Sequence, residues 1–183
     1  MAEHYYLDTN ALYAFYQDNM ESLAKHQNYR HYQNMKGGLI VRRLASSTAT
    51  IYVSNLTYLE FFGNLMRHER TQRNGQWELR RKEVNRLIER LKKDIGTTAR
   101  HRFRLVPTMD GVFQYARALM ICHARRKQCE LGTNDALHIA IAKLMQPKVI
   151  LVTSDGGGQR GDTFAKMKCV CQRIGLEFFD PEE

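Results

Sequence analysis

Short apolar runs alternate along this chain with longer stretches whose apolar residues recur every three or four positions. The short runs predict strands at residues 4–8, 49–54, 102–107, 148–155 and 176–180. The longer stretches predict helices at residues 11–16, 55–69, 77–96, 109–128, 136–145 and about 162–174. Strands and helices that alternate in this way favour an α/β sandwich with a central, mostly parallel sheet.

Residues with particular backbone preferences mark where several of these elements begin and end. Ser54 and Thr108 are good N-caps for the helices that follow them, and Gly96 is expected to stop the helix before it. Residues 17–38 are rich in Gln, Asn, His and Tyr, and we interpret them as a polar insertion. We therefore predict one domain over residues 1–183, interrupted by that insertion.

The composition is that of an ordinary globular domain, with 43% hydrophobic and 26% charged residues among 183. No run of 18 apolar residues occurs, and the first residues lack the basic flank of a signal peptide, so we expect a cytoplasmic protein without a membrane segment. The four cysteines have neither CxxC spacing nor nearby histidine pairs of the zinc-site type. We expect them to be free thiols.

Positive charge is concentrated in one segment. The formal net charge is +9, and residues 67–104 contain 13 basic and 5 acidic side chains, so this basic helical segment carries +8. Such a surplus attracts polyanions through counterion release, which favours contact with nucleic acid. The same charges are also compatible with a solvated helix face that is stabilised by weak ion pairs between successive turns.

Four acidic residues occupy positions that a parallel sheet brings to one edge. Asp8 and Asp155 each follow a predicted strand, Asp135 opens a predicted helix, and Glu60 lies inside an apolar helix. The carboxyl ends of parallel strands line one crevice, and carboxylates gathered there need a cation to stay ionised together. Oxygen ligands without Cys or His favour Mg²⁺ or Mn²⁺.

Each of these acids also has a plainer interpretation. Asp135 can serve the helix dipole, because acids stabilise a first helical turn. Asp155 precedes three glycines and can be a turn residue, and Glu60 can be a partly exposed helix residue. His138, three residues after Asp135, is expected to be a hydrogen-bonded core histidine.

Taken together, four segments resemble the PIN-domain ribonucleases, and in particular the VapC-like toxins of toxin–antitoxin pairs. They are YYLDTNALYAFY, NLTYLEFFGNL, GTNDALHIAIA and ILVTSD, in this order along the chain. The resemblance implies a three-layer α/β/α sandwich and a metal-dependent endoribonuclease that hydrolyses RNA phosphodiester bonds. It implies that catalysis and binding of Mg²⁺ or Mn²⁺ rest on Asp8, Glu60, Asp135 and Asp155.

The resemblance also assigns supporting residues and partners. Asn10 and Thr153 would orient the acidic side chains, and Asp162 is the alternative to Asp155 as the fourth acid. The implied partners are RNA, a small antitoxin protein and a second copy of the chain. From the basic segment we add four candidate contacts to nucleic acid, which are Arg67, Arg80, Arg81 and Lys82.

Two other functions remain open on the same fold. One is a non-catalytic RNA-binding module, which would bind RNA with a steep salt dependence and leave it uncut. The other is a structure-specific DNA nuclease, because a fold alone does not select the nucleic acid.

Overall fold

The computed structural model describes most of the chain, with several gaps. The described residues are 3–16, 43–44, 47–70, 72–73, 76–77, 79–124, 129–153 and 161–179. The predicted polar insertion at 17–38 and the candidate ligand Asp155 lie outside them. No helix in these ranges is long and apolar enough to cross a membrane.

A six-stranded sheet, parallel throughout, forms the centre of the described structure. Its strands are β1 (His4–Leu7), β2 (Thr50–Ser54), β5 (Ile95–Gly96), β6 (Phe103–Val106), β7 (Ile150–Val152) and β8 (Phe178–Phe179). They are ordered β5-β6-β2-β1-β7-β8. A separate antiparallel hairpin pairs β3 (Gln72–Arg73) with β4 (Gln76–Trp77). The prediction of a parallel sheet is confirmed.

Helices cover both faces of this sheet. One layer consists of α1 (Thr9–Tyr16), α2 (Asn55–Arg70) and α3 (Arg81–Asp94). The other consists of α4 (Val112–His123), α5 (Thr133–Leu144) and α6 (Gly161–Ile174). Each layer encloses its own cluster of buried apolar side chains. The fold is therefore the expected three-layer α/β/α sandwich.

The strand β1 shows why both faces need cover. Tyr5 and Leu7 belong to the hydrophobic cluster under α1, α2 and α3, whereas Tyr6 between them points into the cluster under α4, α5 and α6. All three are buried. Successive strand residues face opposite sides of a sheet, so a continuous apolar run fits a strand covered on both faces.

The start of one helix agrees with the sequence prediction, and the starts of two others differ from it. The Thr57 backbone N–H donates to Ser54 Oγ at 3.1 Å, so the predicted cap of α2 is confirmed. The predicted helix at 77–96 begins only at Arg81, where the Arg80 N–H donates to Glu83 Oε2 at 2.8 Å. Glutamate in the first turn that reaches back in this way is a common helix start.

The predicted cap of α4 is wrong. This helix begins at Val112 rather than directly after Thr108, and its N-cap is Gly111 with a φ of 81°. That backbone conformation is easy only for glycine, so the chain turns at Gly111 before the helix starts.

The expectation of four free thiols is wrong for one pair. Cys129 and Cys169 form a disulfide that joins the segment before α5 to α6. The other two are free, with Cys122 exposed and Cys171 buried. Burial raises the pKa of the Cys171 thiol to about 12.

Candidate functional site

The candidate site lies at the carboxyl end of β1, where the order of the strands reverses. Strand β1 pairs with β2 on one side and with β7 on the other, so its two neighbours come from distant parts of the sequence. In open parallel sheets ligands bind in the crevice at such a switch point. Asp8 follows β1 directly and Thr153 follows β7 directly.

Asp8 is held at this position by its backbone and by its side chain. Its N–H donates to the Val152 carbonyl at 3.0 Å, which continues the pairing of β1 with β7. Its carboxylate Oδ1 accepts the Ala11 N–H at 2.8 Å, so Asp8 caps α1. Asp8 is 4% exposed, and the start of the helix offers its carboxylate backbone N–H groups and a favourable dipole.

Glu60 reaches the same region from α2 and is held by side chains of two other helices. Its Oε2 lies 2.8 Å from His138 Nε2 on α5 and accepts a hydrogen bond from the Thr9 hydroxyl on α1. Asn134, in the first turn of α5, also hydrogen-bonds the carboxylate. Burial raises the pKa of Glu60, but His138, Thr9 and Asn134 together outweigh this and leave it below the ordinary value.

His138 connects this carboxylate to a buried hydroxyl cluster. Its Nδ1 lies 2.8 Å from the Tyr6 hydroxyl, which in turn lies 2.8 Å from Ser54 Oγ and 3.3 Å from Thr57 Oγ1. Burial, together with the charges of Asp8 and Glu60, raises the pKa of Tyr6 well above its ordinary value although bonds from Ser54 and Thr57 lower it. Tyr6 is therefore a neutral phenol at physiological pH.

Thr9 links Asp8 to Glu60, since it follows Asp8 in the chain and its hydroxyl donates to the Glu60 carboxylate. The charges of both carboxylates also raise the pKa of Tyr6. The expectation that His138 is a hydrogen-bonded core histidine is confirmed. Its contact with Glu60 was missed, and the only hint in the sequence is its position one helical turn after Asp135.

Asp135 lies in the first turn of α5, as predicted, and is half-buried. Its carboxylate lies against Gly132, the N-cap of this helix, where an added Cβ would be 3.2 Å from Oδ2. The structure thus agrees with the helix-dipole interpretation of Asp135, and that position does not conflict with a role as a ligand. Asn10 lies in the first turn of α1 and is half-buried.

Thr153 is fully buried, and its hydroxyl has no hydrogen-bond partner in the described part of the chain. Its backbone N–H donates to the Phe179 carbonyl at 3.3 Å, which fixes the residue beside Asp8 at the end of β7. A buried hydroxyl without a partner is costly, so it is a position where a ligand oxygen or an ion can compensate.

The fourth acid is not placed. Asp155 lies outside the described residues, and of Asp162 only the backbone, at the start of α6, is described. Among the described residues no three His, Cys, Asp or Glu side chains are close enough to hold a metal ion. The donors that are placed, Asp8, Glu60 and Asp135, are all oxygens, and with the unpaired Thr153 hydroxyl they suit Mg²⁺ or Mn²⁺ in kind.

The basic side chains lie on helix surfaces. Arg67 on α2 is exposed, as are Arg80, Arg81 and Lys82 at the start of α3. The outward face of α3 forms an open groove of about 530 Å³ that is lined by Lys82, Asn85, Arg86, Glu89, Arg90 and Lys93. We call these six residues the α3 groove.

Ion pairs neutralise only part of this groove. Glu89 Oε1 lies 2.8 Å from Lys92 Nζ, and Arg90 Nε lies 3.5 Å from Asp94 Oδ2. Lys82, Arg86 and Lys93 are exposed on the same face, so the α3 groove keeps a net positive charge.

Comparison with known proteins agrees with this architecture. The sequence model of the PIN domain matches residues 5–160, and the chain therefore belongs to the PIN domain family. No curated protein matches the chain.

Two solved structures share the fold. VapBC2 from Rickettsia felis, bound to a DNA fragment from its promoter, aligns over 97% of this chain and 98% of its own with 17% identity and a TM-score of 0.54. FitAcB from Neisseria gonorrhoeae aligns over 96% of each chain with 20% identity and a TM-score of 0.54.

Proposed function

We propose that this protein is a divalent-metal-dependent endoribonuclease that hydrolyses RNA phosphodiester bonds. The observation that carries the proposal is that Thr9 bonds Glu60 directly beside Asp8, the residue that follows β1 at the strand-order switch point of a PIN fold. Glu60 is partly buried and its pKa lies below the ordinary value, so it is ionised at neutral pH beside a second carboxylate. Two such groups in one crevice favour a cation between them.

Asp8, Glu60 and Asp135 would hold Mg²⁺ or Mn²⁺, and we propose Asp155 as the fourth acid, with Asp162 as the alternative. When bound, the ion lowers the pKa of a water molecule and stabilises negative charge on the phosphate during attack. Asn10 and Thr153 would orient the carboxylates. The helix start that Asp8 caps adds N–H groups that keep this carboxylate in place.

The substrate assignment rests on charge. Arg67 and the exposed start of α3, with Arg80, Arg81 and Lys82, provide side chains that bind phosphate without reading sequence. Within the described residues, the ion pair of Arg81 is a long contact of 4.0 Å to Glu69, and the side chain is exposed. These residues would hold the RNA backbone while the crevice cuts it.

We further propose that the protein is the toxin of a toxin–antitoxin pair and works in the cytoplasm. Both structural neighbours bear names of two-component complexes. In this chain Leu59 on α2 is 66% exposed, so it offers an apolar side chain that an antitoxin could cover. A homodimer stays a prediction.

The decisive experiment compares wild type with Asp8→Asn on a mixed set of structured and single-stranded RNAs, with Mg²⁺, with Mn²⁺ and with EDTA. Asparagine accepts the Ala11 N–H as well as aspartate does, so α1 keeps its cap while the site loses a charge. We expect metal-dependent cleavage in wild type and a loss of at least about 100-fold in Asp8→Asn, because outer-shell substitutions alone cost 10- to 100-fold.

Glu177→Gln is the matched control, since this exposed carboxylate precedes β8 and so lies at the amino ends of the strands, not at the carboxyl ends where Asp8 lies. It should cut like wild type. RNA that is bound but never cut would support the non-catalytic module instead. Cleavage confined to branched DNA would support the structure-specific DNA nuclease.

A further inference from the structure

We infer that His138 is a positioning residue that holds the Glu60 carboxylate for metal binding, and that Tyr6 sets the direction of the hydrogen bond His138 makes. The inference rests on the proposed function, because it assigns a role in metal binding to His138, which is not one of the proposed metal ligands. It starts from one fact, which is that a buried imidazole bonds a partly buried carboxylate at 2.8 Å.

For a neutral His138 ring, the hydrogen bonds leave one consistent direction along this chain of groups. An ionised carboxylate has only lone pairs, so His138 Nε2 must carry the proton in its bond to Glu60 Oε2. In a neutral ring Nδ1 is then an acceptor, and the Tyr6 hydroxyl 2.8 Å away donates to it.

The hydrogen bonds of Ser54 and Thr57 support the same direction, in which Tyr6 donates to His138. Thr57 Oγ1 donates to the Leu7 carbonyl at 3.2 Å, so its proton is already used. Ser54 Oγ accepts the Thr57 N–H at 3.1 Å and lies 2.8 Å from the Tyr6 hydroxyl. Ser54 can therefore donate to the Tyr6 oxygen while Tyr6 donates to His138. Every polar atom of this buried group then has a partner.

The consequence for Glu60 is geometric. Thr9 and His138 both bind Oε2, from helices on opposite faces of the sheet. They fix the rotation of the carboxylate about its last bond. A carboxylate whose orientation is already fixed loses less conformational entropy when an ion binds to it. The contact between His138 and Glu60 should therefore raise the affinity for the metal.

The first test needs no metal and no variant. A long-range proton–nitrogen NMR spectrum of the metal-free full chain should show a proton on His138 Nε2 and none on Nδ1. The reverse tautomer would leave Nε2 without a proton to donate to Glu60, and a proton on both nitrogens would make Tyr6 an acceptor, so either result would overturn the inference.

The second test measures Mn²⁺ affinity by calorimetry on metal-free full-length variants. His138→Phe fills the space without a donor and should weaken Mn²⁺ binding roughly 10- to 100-fold, the usual effect of removing such a partner. His138→Gln places an amide N–H near the position of Nε2 and should restore most of the affinity. Tyr6→Phe leaves Glu60 and His138 in place and should weaken binding less than His138→Phe.

His123→Phe is the matched control, because His123 is also a buried helical histidine but belongs to α4. It should bind Mn²⁺ like wild type. Thermal unfolding of each variant separates the alternatives: a purely structural His138 would lower the melting temperature and leave the Mn²⁺ affinity of the folded protein unchanged, which overturns the inference.

The measurements distinguish an error in the role proposed for His138 from an error in the proposed nuclease function. If wild type binds Mn²⁺ and cuts RNA while the variants of Tyr6 and His138 bind like wild type, only the inference is wrong. If wild type neither binds Mn²⁺ nor cuts RNA, the proposed nuclease is wrong, and the inference falls with it.

Discussion

The ionisation of Glu60 depends on its neighbours. It is an acid inside an apolar helix, and its side chain is only 20% exposed. Burial alone would favour its neutral form, yet donors from α1 and α5 keep its pKa below 4.5. A carboxyl that is stabilised as an anion in the folded state makes stability depend on pH.

We predict that this dependence appears on acidification. The folded pKa of Glu60 is lower than the unfolded one, so its contribution is fully present above pH 4.5 and is lost as the pH falls through the folded pKa. Urea unfolding of the metal-free protein between pH 6 and pH 3 should show stability falling more in wild type than in Glu60→Gln.

Glu89→Gln is the comparison for that measurement. Glu89 also has a lowered pKa because of its bond to Lys92, but this pair is fully exposed and screened by salt. Its variant should follow the wild-type pH curve. An equal effect of both substitutions would mean that burial at Glu60 has no special influence.

At the residue scale, the sequence predicted the positions of the acids better than their contacts. Asp8 and Asp135 were found because the ends of strands and the starts of helices are visible in the hydrophobic pattern. The bond between Glu60 and His138 joins residues 78 positions apart and depends on how α2 and α5 pack, which a local pattern does not contain. The same limit hid the disulfide between Cys129 and Cys169.

At the element scale, hydrogen bonds of Lys143 and a disulfide connect α5 and the segment before it to α6, besides apolar packing. Lys143 Nζ on α5 donates to the Ile174 carbonyl at 2.6 Å and so caps the last turn of α6. The disulfide joins the segment before α5 to the middle of α6. Because α5 also carries Asp135 and His138, the contacts with α6 help to hold these two residues in place.

We predict that Lys143→Met lowers the free energy of unfolding by about 1 kcal/mol. The substitution keeps the aliphatic stem and removes a charged donor from a helix end where positive charge is favourable. Lys148→Met, at an exposed position before β7, should change little. Equal effects in chemical denaturation would show that the Ile174 contact contributes nothing.

Thiol counting checks the disulfide and the buried cysteine together. Without reductant, a maleimide should react quickly with one thiol of the native protein, Cys122, because Cys171 is buried and its pKa is about 12. After unfolding two thiols should react, and after reduction four. Four reactive thiols in the unfolded, unreduced protein would contradict the pairing of Cys129 with Cys169.

Element boundaries were predictable only where a side chain marks them. Ser54 caps α2 as its hydroxyl predicts, whereas Thr108 was an equally reasonable cap that the chain does not use. The turn at Gly111 decides that case, and its positive φ depends on the path between β6 and α4. The sequence prediction placed residues 77–80 in a helix, whereas Trp77 pairs with Gln72 in a hairpin. The alternating apolar and polar residues of this short segment fit either structure.

At the scale of the whole molecule, acid and base are separated. Asp8 lies at the end of β1, whereas the α3 groove and its neighbours carry the positive charge that dominates the net +9. This separation suits a polyanion that must be held over a long surface but cut at one point. If the protein is the proposed nuclease, RNA binding and RNA cleavage should be separable by substitution.

We predict that Lys82→Gln, Arg86→Gln and Lys93→Gln combined weaken RNA binding and its salt dependence. Each removed phosphate contact on a single strand makes the slope of log K against log salt shallower by about 0.7, so the triple variant should differ by about 2. All three side chains are exposed, so the fold should be unchanged. An unchanged slope in fluorescence anisotropy would place the RNA elsewhere.

The position of β1 between β2 and β7 has a consequence during synthesis. A ribosome makes Asp8 and Glu60 early, but Asp135 and the strand that borders β1 on its other side, residues 150–152, come more than 70 residues after Glu60. Until that strand has left the ribosome, β1 is an open edge and Thr153 is missing from its place beside Asp8. The proposed nuclease site would therefore stay incomplete until residue 153 of the 183 has left the ribosome.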